Sequence, residues 1–587
     1  IERGVYMRKS NLLILTTILI SSLTACNIST PKDEGNFTVD SNSSFKNLSD
    51  EYTIKNSTLN TYYLEGDKSV PYVDVREFVT ALNGFLDSDN IKGSLYNFMS
   101  YMVLSYTYKS YTYKGVQSYR YNCIFDWNED TIRVVDDGFF NVIKKSTSAT
   151  SYNSHQALLS ANADSQDSQV VYNLKDYGMQ ISYYQKHILV PFSVMNLLFC
   201  STNMYNVYFN GSDYYGVMYY MNDTNPDEYK SIMGKGDYYQ ATPTAKAREF
   251  NYNFISFVMN DFYGLKDFYN VIDYRKYFED NGYKDQFLST DTSVFTKGYL
   301  NFFYKDLDEL HTAITNYNLY DPNSGYKLSD NGSLASFYGD FRTKYKKQSV
   351  ELATLAKEKY GEGGVPAIRY IGKETAVLHF DEFSVGTNEQ IKSDTPWKYD
   401  TYEFMKHYLD EAVNKGVNNV VIDLSTNGGG SEAAMIRALG FLRDTGKDPV
   451  ELSIHNYQTN QNIDYKYGVD INEKRYFNLN YSVMTSVCTY SAANYFTGSF
   501  INMGLGNVIG QQSGGGMCAI LPVVLPDGTS VVMSGPSQLK IKISDSFYKD
   551  VQAGFKPDKT FDQNSYFYDD VYLANLVEGT STTDYRK

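Results

Sequence analysis

Three stretches in the last third of the chain hold residues able to do acyl-transfer chemistry. The first, Val420-Val421-Ile422-Asp423-Leu424-Ser425-Thr426-Asn427-Gly428-Gly429-Gly430, runs an apolar strand into glycines ahead of a helix. Amides in such a bend are unhindered, and the helix N-terminus adds partial positive charge, so the segment suits an anion or a developing oxyanion. Read alone it is a tight turn, and it lacks the spacing of a nucleotide-binding loop. The second, Thr485 to Asn494, places Ser491 between an apolar strand and a helix opening at Ala492-Ala493. A serine nucleophile needs that exposure and nearby donors, although N-capping is the commonest work of a serine there. The third is Gly510-Gln511-Gln512-Ser513-Gly514-Gly515-Gly516, followed later by Gly554-Phe555-Lys556-Pro557-Asp558.

A serine also needs a base. His311, in Asp308-Glu309-Leu310-His311-Thr312, lies ahead of these segments, and an imidazole titrates in the range needed to take and return a proton. The competing reading is a histidine on a helix surface. His379, in the first apolar strand of the last third, is the reserve candidate; His155, His187, His407 and His455 have no comparable context.

The elements that must position these residues alternate between strand and helix. After Gly361-Glu362-Gly363-Gly364 come a strand at Val377 to Phe380 and a helix around Phe404 to Val413. A strand at Val420 to Leu424 and a helix from Ser431 to Leu442 follow. Next are Val483 to Val487, a helix from Ala492 to Met503, and Val508-Ile509. This rhythm predicts a parallel α/β core. A hairpin follows, Ile520 to Leu525 and Ser530 to Met533 about the turn Pro526-Asp527-Gly528. Between Asn222 and Lys359 the apolar period is helical, as at Phe254, Phe257, Val258 and Phe262, and predicts a helical cap.

Ahead of the cap, residues 52–221 read as a strand-rich α+β domain with a weak repeat. Tyr62-Tyr63 precedes Val70-Pro71-Tyr72 and an apolar run from Val75 to Leu82; Tyr183-Tyr184 precedes Val190-Pro191-Phe192 and a run from Val194 to Phe199. The pattern weakly resembles the stalk domains at the N-termini of copper amine oxidases, without copper or quinone chemistry. Its tyrosines serve either as core and rim or as a surface for cell-wall or sugar contact.

In order and spacing, the segments from Ile371 to Val577 resemble the tail-specific or C-terminal processing serine peptidases, a family that includes the tricorn protease core. Asp423 to Gly430 stands for its Asp-x-Arg-x-Asn-x-Gly-Gly strand end, with Ser425 at the arginine position. Ser491 to Asn494 stands for its Ser-Ala-Ala-Glu helix start, Gly510 to Gly515 for its Gly-Glu-x-Ser/Thr-x-Gly loop, and Gly554 to Asp558 for its closing Gly-Val-x-Pro-Asp. Asn494 and Gln511 replace the family's glutamates. Gly516 occupies the position of the lysine used by the Ser-Lys branch, so the resemblance points to the tricorn-like branch and its histidine.

The resemblance implies a crotonase/ClpP-like core that cleaves polypeptides with no metal or organic cofactor. Ser491 would be the nucleophile, His311 its base and Asp550 the group orienting the ring. The N–H groups of Gly429 or Gly430 and of Ala492 would form the oxyanion hole. The short interval between His311 and the first core strand leaves no room for an inserted PDZ domain. The substitutions at the lysine, glutamate and arginine positions motivate one alternative, a catalytically degenerate lipoprotein that binds peptide or cell wall.

The start of the chain carries an address. Residues 1–6 precede Met7; Arg8 and Lys9 form a basic stretch, and Leu12 to Leu23 an apolar one too short to cross a bilayer. Leu23-Thr24-Ala25-Cys26 resembles the bacterial lipoprotein box, which implies lipidation at Cys26 and a membrane-anchored, extracytoplasmic protein. Residues 27–51 read as a flexible linker. The expected order is therefore a signal peptide over 1–26, linker over 27–51, α+β domain over 52–221, helical cap over 222–362 and peptidase core over 363–587.

The whole chain of 587 residues fits this division. A net charge of −15 argues against nucleic acid as a partner, since a phosphate backbone calls for a basic face. Five cysteines are too few for a disulfide scaffold; apart from Cys26 they are expected to be structural thiols, with any pairing left open.

Overall fold

A computed structural model describes residue 33 and residues 35–579, apart from 113–114, 145, 147–154, 166–167, 222–225 and 329–330. The proposed signal peptide and Cys26 lie outside the described residues. No helix among the described residues is long and apolar enough to cross a membrane.

The segment expected to be a linker is folded from Phe37 onward. Phe37–Asp40 pairs antiparallel with Thr61–Leu64, and Ser44–Asn47 runs parallel to Tyr214–Met218. The physical reason is two aromatic side chains, Phe37 and Phe45, both buried. In a polar stretch, two large apolar groups suffice to tie the chain to a neighbouring sheet.

The two copies of the repeat meet in one sheet. Its strand order is Phe37–Asp40, Thr61–Leu64, Asp67–Asp74, His187–Pro191 and Ser182–Tyr184. The strands Asp67–Asp74 and His187–Pro191 each run straight into a helix, Val75–Ala81 and Phe192–Phe199 respectively. The two Val-Pro-aromatic triplets are not structural equivalents. Pro71 lies within its strand, whereas Pro191 ends its strand and is the N-cap of the following helix. The residue equivalent to Pro191 is Asp74, whose carboxylate caps Val75–Ala81 by accepting from the amides of Arg76 and Glu77.

The region expected to be a helical cap is mostly helical, with Ala245–Asp261 and Asp340–Tyr360 its longest helices. It also contains a strand, Ala313–Asn316, which pairs with Ser530–Ser544 and so builds the cap into a core sheet. The buried ion pair between Arg248 of Ala245–Asp261 and Asp527 of the Pro526-Asp527-Gly528 turn, at 2.9 Å, supports the same junction.

The last third holds a six-stranded sheet in the order Ile368–Ile371, Thr375–His379, Asn419–Asp423, Asn480–Thr485, Gly506–Gly510 and Lys559–Thr560. All pairings after the first are parallel. The helices Thr401–Lys415, Glu432–Gly440 and Ala492–Asn502 alternate with these strands. The three central strands are buried almost throughout, as expected where helices cover a parallel sheet.

A second sheet was only half legible. The predicted hairpin is Cys518–Val524 with Ser530–Ser544, and its long second strand also pairs with Val450–Asn456. That strand pairs with Gln461–Val469, which in turn pairs with Gln156–Ala163 from the N-terminal part. The expected boundary near residue 221 is thus crossed by a shared sheet.

The four described cysteines are free and buried. Burial raises the pKa of each thiol and keeps it protonated.

Candidate active site

Ser491 sits where the strand Asn480–Thr485 has turned into the helix Ala492–Asn502, at φ 55° and ψ −124°. A non-glycine residue in this region stores on the order of 1–3 kcal/mol of strain, which persists only where surrounding bonds impose it. Those bonds are present. The Ser491 amide donates to Gly515 O at 2.8 Å and the Tyr490 amide to Asn427 O at 3.1 Å. The Thr489 hydroxyl donates to Leu424 O at 2.6 Å and that of Ser486 to Ser425 O at 2.5 Å. Ser491 stands at the N-cap position, but its side chain makes no capping bond. The residue is partly exposed, and its hydroxyl is not committed to capping.

The glycine bend lies against this serine. Gly429 has φ 114°, and a Cβ there would stand 2.7 Å from Ser491 Cβ and 3.1 Å from the Ala492 nitrogen. Gly430 has φ 123°, and its Cβ would meet Phe383 O at 2.4 Å. Only glycine fits both positions. The Gly429 amide donates to Asn427 Oδ1 at 2.9 Å. Ala492 is the first residue of its helix, where an amide has no helical acceptor.

His311 is in a turn before Ala313–Asn316, not on a helix. Its ring meets that of Tyr490 edge-on, with centroids 5.0 Å apart, so the imidazole rests on the residue that precedes Ser491. Its Nδ1 is buried without a hydrogen-bond partner. Burial lowers the imidazole pKa, and the nearby Glu309 only partly offsets this, so the ring is neutral at pH 7.

A cage the sequence did not reveal holds this turn. The buried Glu309 carboxylate accepts from the His311 amide at 2.6 Å, the Ser534 hydroxyl at 3.1 Å and the Tyr490 hydroxyl at 3.3 Å, and also from the Thr312 hydroxyl. Arg342 donates to the carbonyls of Glu309 and Thr312. Asp308 caps Asp340–Tyr360, accepting from the amides of Phe341 at 2.7 Å and Arg342 at 2.9 Å. The signal available in the sequence was the acidic pair preceding His311, each member of which has a separate structural task.

Asp550 is not brought to the imidazole. It ends an exposed strand, accepts the Gln552 amide at 2.7 Å and lies 3.4 Å from Lys540 Nζ. Its surface strand points it toward the lysine of the paired strand, and the buried carboxylate beside His311 is Glu309.

The substituted positions have well-defined structural roles. Asn494 Nδ2 donates to Val551 O at 2.9 Å, and its Oδ1 accepts from Ser513 Oγ at 2.7 Å, which joins the helix to both closing loops. Gln511 Nε2 donates to Asn564 Oδ1 at 2.9 Å, and its Oε1 accepts from Gln348 Nε2 at 2.5 Å. Gly516 has φ 88°, and a Cβ would fall 2.5 Å from the Tyr490 ring. The ring under His311 thus fills the space a lysine side chain would need. Gly516→Ala is expected to destabilise the protein by about 2 kcal/mol or more, seen as a lower midpoint in urea unfolding, and Gly516→Lys is expected not to create a Ser-Lys dyad.

The reserve candidate His379 is engaged through both nitrogens. Nδ1 lies 3.1 Å from the buried Asp423 and Nε2 3.3 Å from Asp381. These carboxylates also fix the glycine bend: Asp423 accepts from the Ser425 hydroxyl and Asp381 from the Thr426 hydroxyl, each at 2.6 Å. Burial opposes the imidazolium charge, but Asp423 and Asp381 outweigh it and push the pKa up to about 9. A raised folded-state value means this stabilisation is complete below the unfolded value near 6.5 and is lost as pH rises through about 9. Unfolding free energy is therefore expected to fall by on the order of 2–3 kcal/mol between pH 6.5 and 9.5, a slope that His379→Gln removes.

A strained serine elbow, a glycine bend packed against it and a buried imidazole resting on the preceding tyrosine meet in this part of the fold. Residues 374–559 match the family model described as Peptidase family S41, and the resemblance to tail-specific and C-terminal processing peptidases is established on that segment. The match supports a serine-type peptidase. No curated protein matches the chain.

Among solved structures, a Parabacteroides merdae protein proposed to be a peptidase is 15% identical. The match covers 54% of this chain and 89% of that one, with a TM-score of 0.36. The photosystem II D1 C-terminal processing protease is 19% identical over 32% of this chain and 42% of its own, with a TM-score of 0.24. The tricorn protease is 9% identical over 92% of this chain and 72% of its own, with a TM-score of 0.29.

Proposed function

We propose that this chain is a serine endopeptidase held by a lipid on Cys26 at the outer face of a bacterial membrane, where it cleaves extended polypeptide segments. The observation that carries the enzymatic part is the strained Ser491, uncommitted to capping, packed against Gly429 and preceded by the tyrosine on which His311 rests. His311 takes the proton of Ser491 as Oγ attacks the peptide carbonyl, and the C–N bond then breaks as the imidazolium returns that proton to the leaving amine. Water, activated by the same ring, hydrolyses the acyl-enzyme. The Ala492 amide is one oxyanion donor and the glycine bend supplies the other; a substrate using the Gly429 amide must take it from Asn427. Glu309 positions the His311 turn through the His311 amide and the Tyr490 hydroxyl.

The test is labelling with a fluorophosphonate probe followed by peptide mapping. Modification confined to Ser491 supports the proposal. Modification of another serine overturns the assignment, and absence of labelling in folded protein supports the alternative of a degenerate binding protein. For the anchor, Cys26→Ala is expected to release the protein from the membrane fraction of expressing cells, and retention would refute lipidation at that residue.

A further inference from the structure

We propose that Asp74, Glu77 and His187 form a binding site for a divalent transition-metal ion of the zinc class, in the N-terminal part and on a sheet that shares no strand with that of the active site. One ligand atom from each residue lies within 4.8 Å of the other two. His187 Nδ1 is 3.3 Å from Asp74 Oδ2 and 3.6 Å from Glu77 Oε1. Tetrahedral zinc with bonds of ~2.0–2.2 Å has ligand-to-ligand edges of roughly 3.3–3.6 Å, and these two separations fit that range.

The same distances serve hydrogen bonding poorly. A charge-assisted N–H···O bond spans about 2.7–2.9 Å, and His187 Nδ1 has no such partner although it also lies 3.4 Å from the Tyr62 hydroxyl. Glu77 Oε1 accepts from the Tyr62 hydroxyl at 3.2 Å, whereas Oε2 is sealed from solvent and receives no hydrogen bond. The donor set, one imidazole and two carboxylates, is one that zinc and its first-row neighbours accept.

The support around these ligands is rigid. Asp74 Oδ1 accepts from the amides of Arg76 at 2.9 Å and Glu77 at 3.1 Å, while Oδ2 accepts from Ile188 at 3.0 Å. Such bonds orient a ligating carboxylate before the metal arrives. All three residues line a cavity of about 680 Å³, which leaves room for a fourth ligand. Lys55, Arg76 and Lys144 line it too, and Arg76 Nε lies 3.7 Å from Asp74 Oδ1, so the fourth ligand is water or an anion. Asp74 and Glu77 belong to the first copy of the repeat and His187 to the second, and one ion would bolt the copies together.

The test uses the full chain, stripped with a chelator and titrated with zinc chloride by calorimetry. One equivalent is expected to bind the wild type and to raise its thermal midpoint. Glu77→Gln and His187→Ala, each checked for folding by circular dichroism, are expected to weaken binding at least ~10-fold and to lose that rise. Asp74 is left intact because it caps a helix. No zinc binding by the wild type, or equal binding by both variants, would overturn the site and leave a histidine–carboxylate ion pair.

Discussion

Ser491→Ala is expected to lower kcat for peptide hydrolysis by about 10³-fold or more while leaving KM and the thermal midpoint nearly unchanged. The methyl group keeps the volume of the elbow, and the serine hydroxyl makes no capping bond whose loss would loosen the helix. The change can even relieve neither strain nor packing, because the φ of 55° is imposed by the backbone bonds to Gly515 and Asn427. What disappears is the nucleophile. The measurement is steady-state hydrolysis of a quenched fluorescent peptide; a loss below tenfold would mean that another residue attacks the substrate.

His311→Ala is expected to cost about 10²–10⁴ in kcat, the usual worth of a positioned general base. The pH profile separates catalysis from mere support of the fold. Burial lowers the His311 pKa below its ordinary 6.5, and only the neutral ring can accept the serine proton. Wild-type kcat/KM should therefore fall as pH drops through a value under 6.5 and stay level above it until other groups titrate. In the variant this acid limb should vanish. A variant that retains both rate and limb removes His311 from the mechanism. Glu309→Gln is informative beside it, since Glu309 holds the turn through the His311 amide and the Tyr490 hydroxyl, not through the ring.

Much of this site is legible in the chain itself because the groups involved are local. A strand that ends in glycines, and a serine between a strand and a helix, are recognisable from neighbours a few residues away. The six-stranded sheet follows for the same reason: βαβ units repeat apolar runs and helical periods at short range. The elements missed are those stabilised only by distant partners. Phe37–Asp40 looked like part of a tether because four residues carry too little pattern, and it becomes a strand by pairing with Thr61–Leu64. Gln156–Ala163 and Gln461–Val469 pair across about half the length of the chain, which no local signal announces. The repeat was visible, but matching by residue type placed its register on two prolines with different structural positions.

By itself the amino-acid order determined the serine, the glycine bend and the absence of a lysine after the third loop, since each is a matter of residue identity and short spacing. Only the tertiary structure decided that the His311 ring rests on Tyr490, that Tyr490 occupies the room a lysine would need, that Glu309 and not Asp550 lies beside the imidazole, and that Asp74, Glu77 and His187 converge. Burial and side-chain distance are properties of segments brought together from far apart, and the closure of those long loops leaves no trace in local composition.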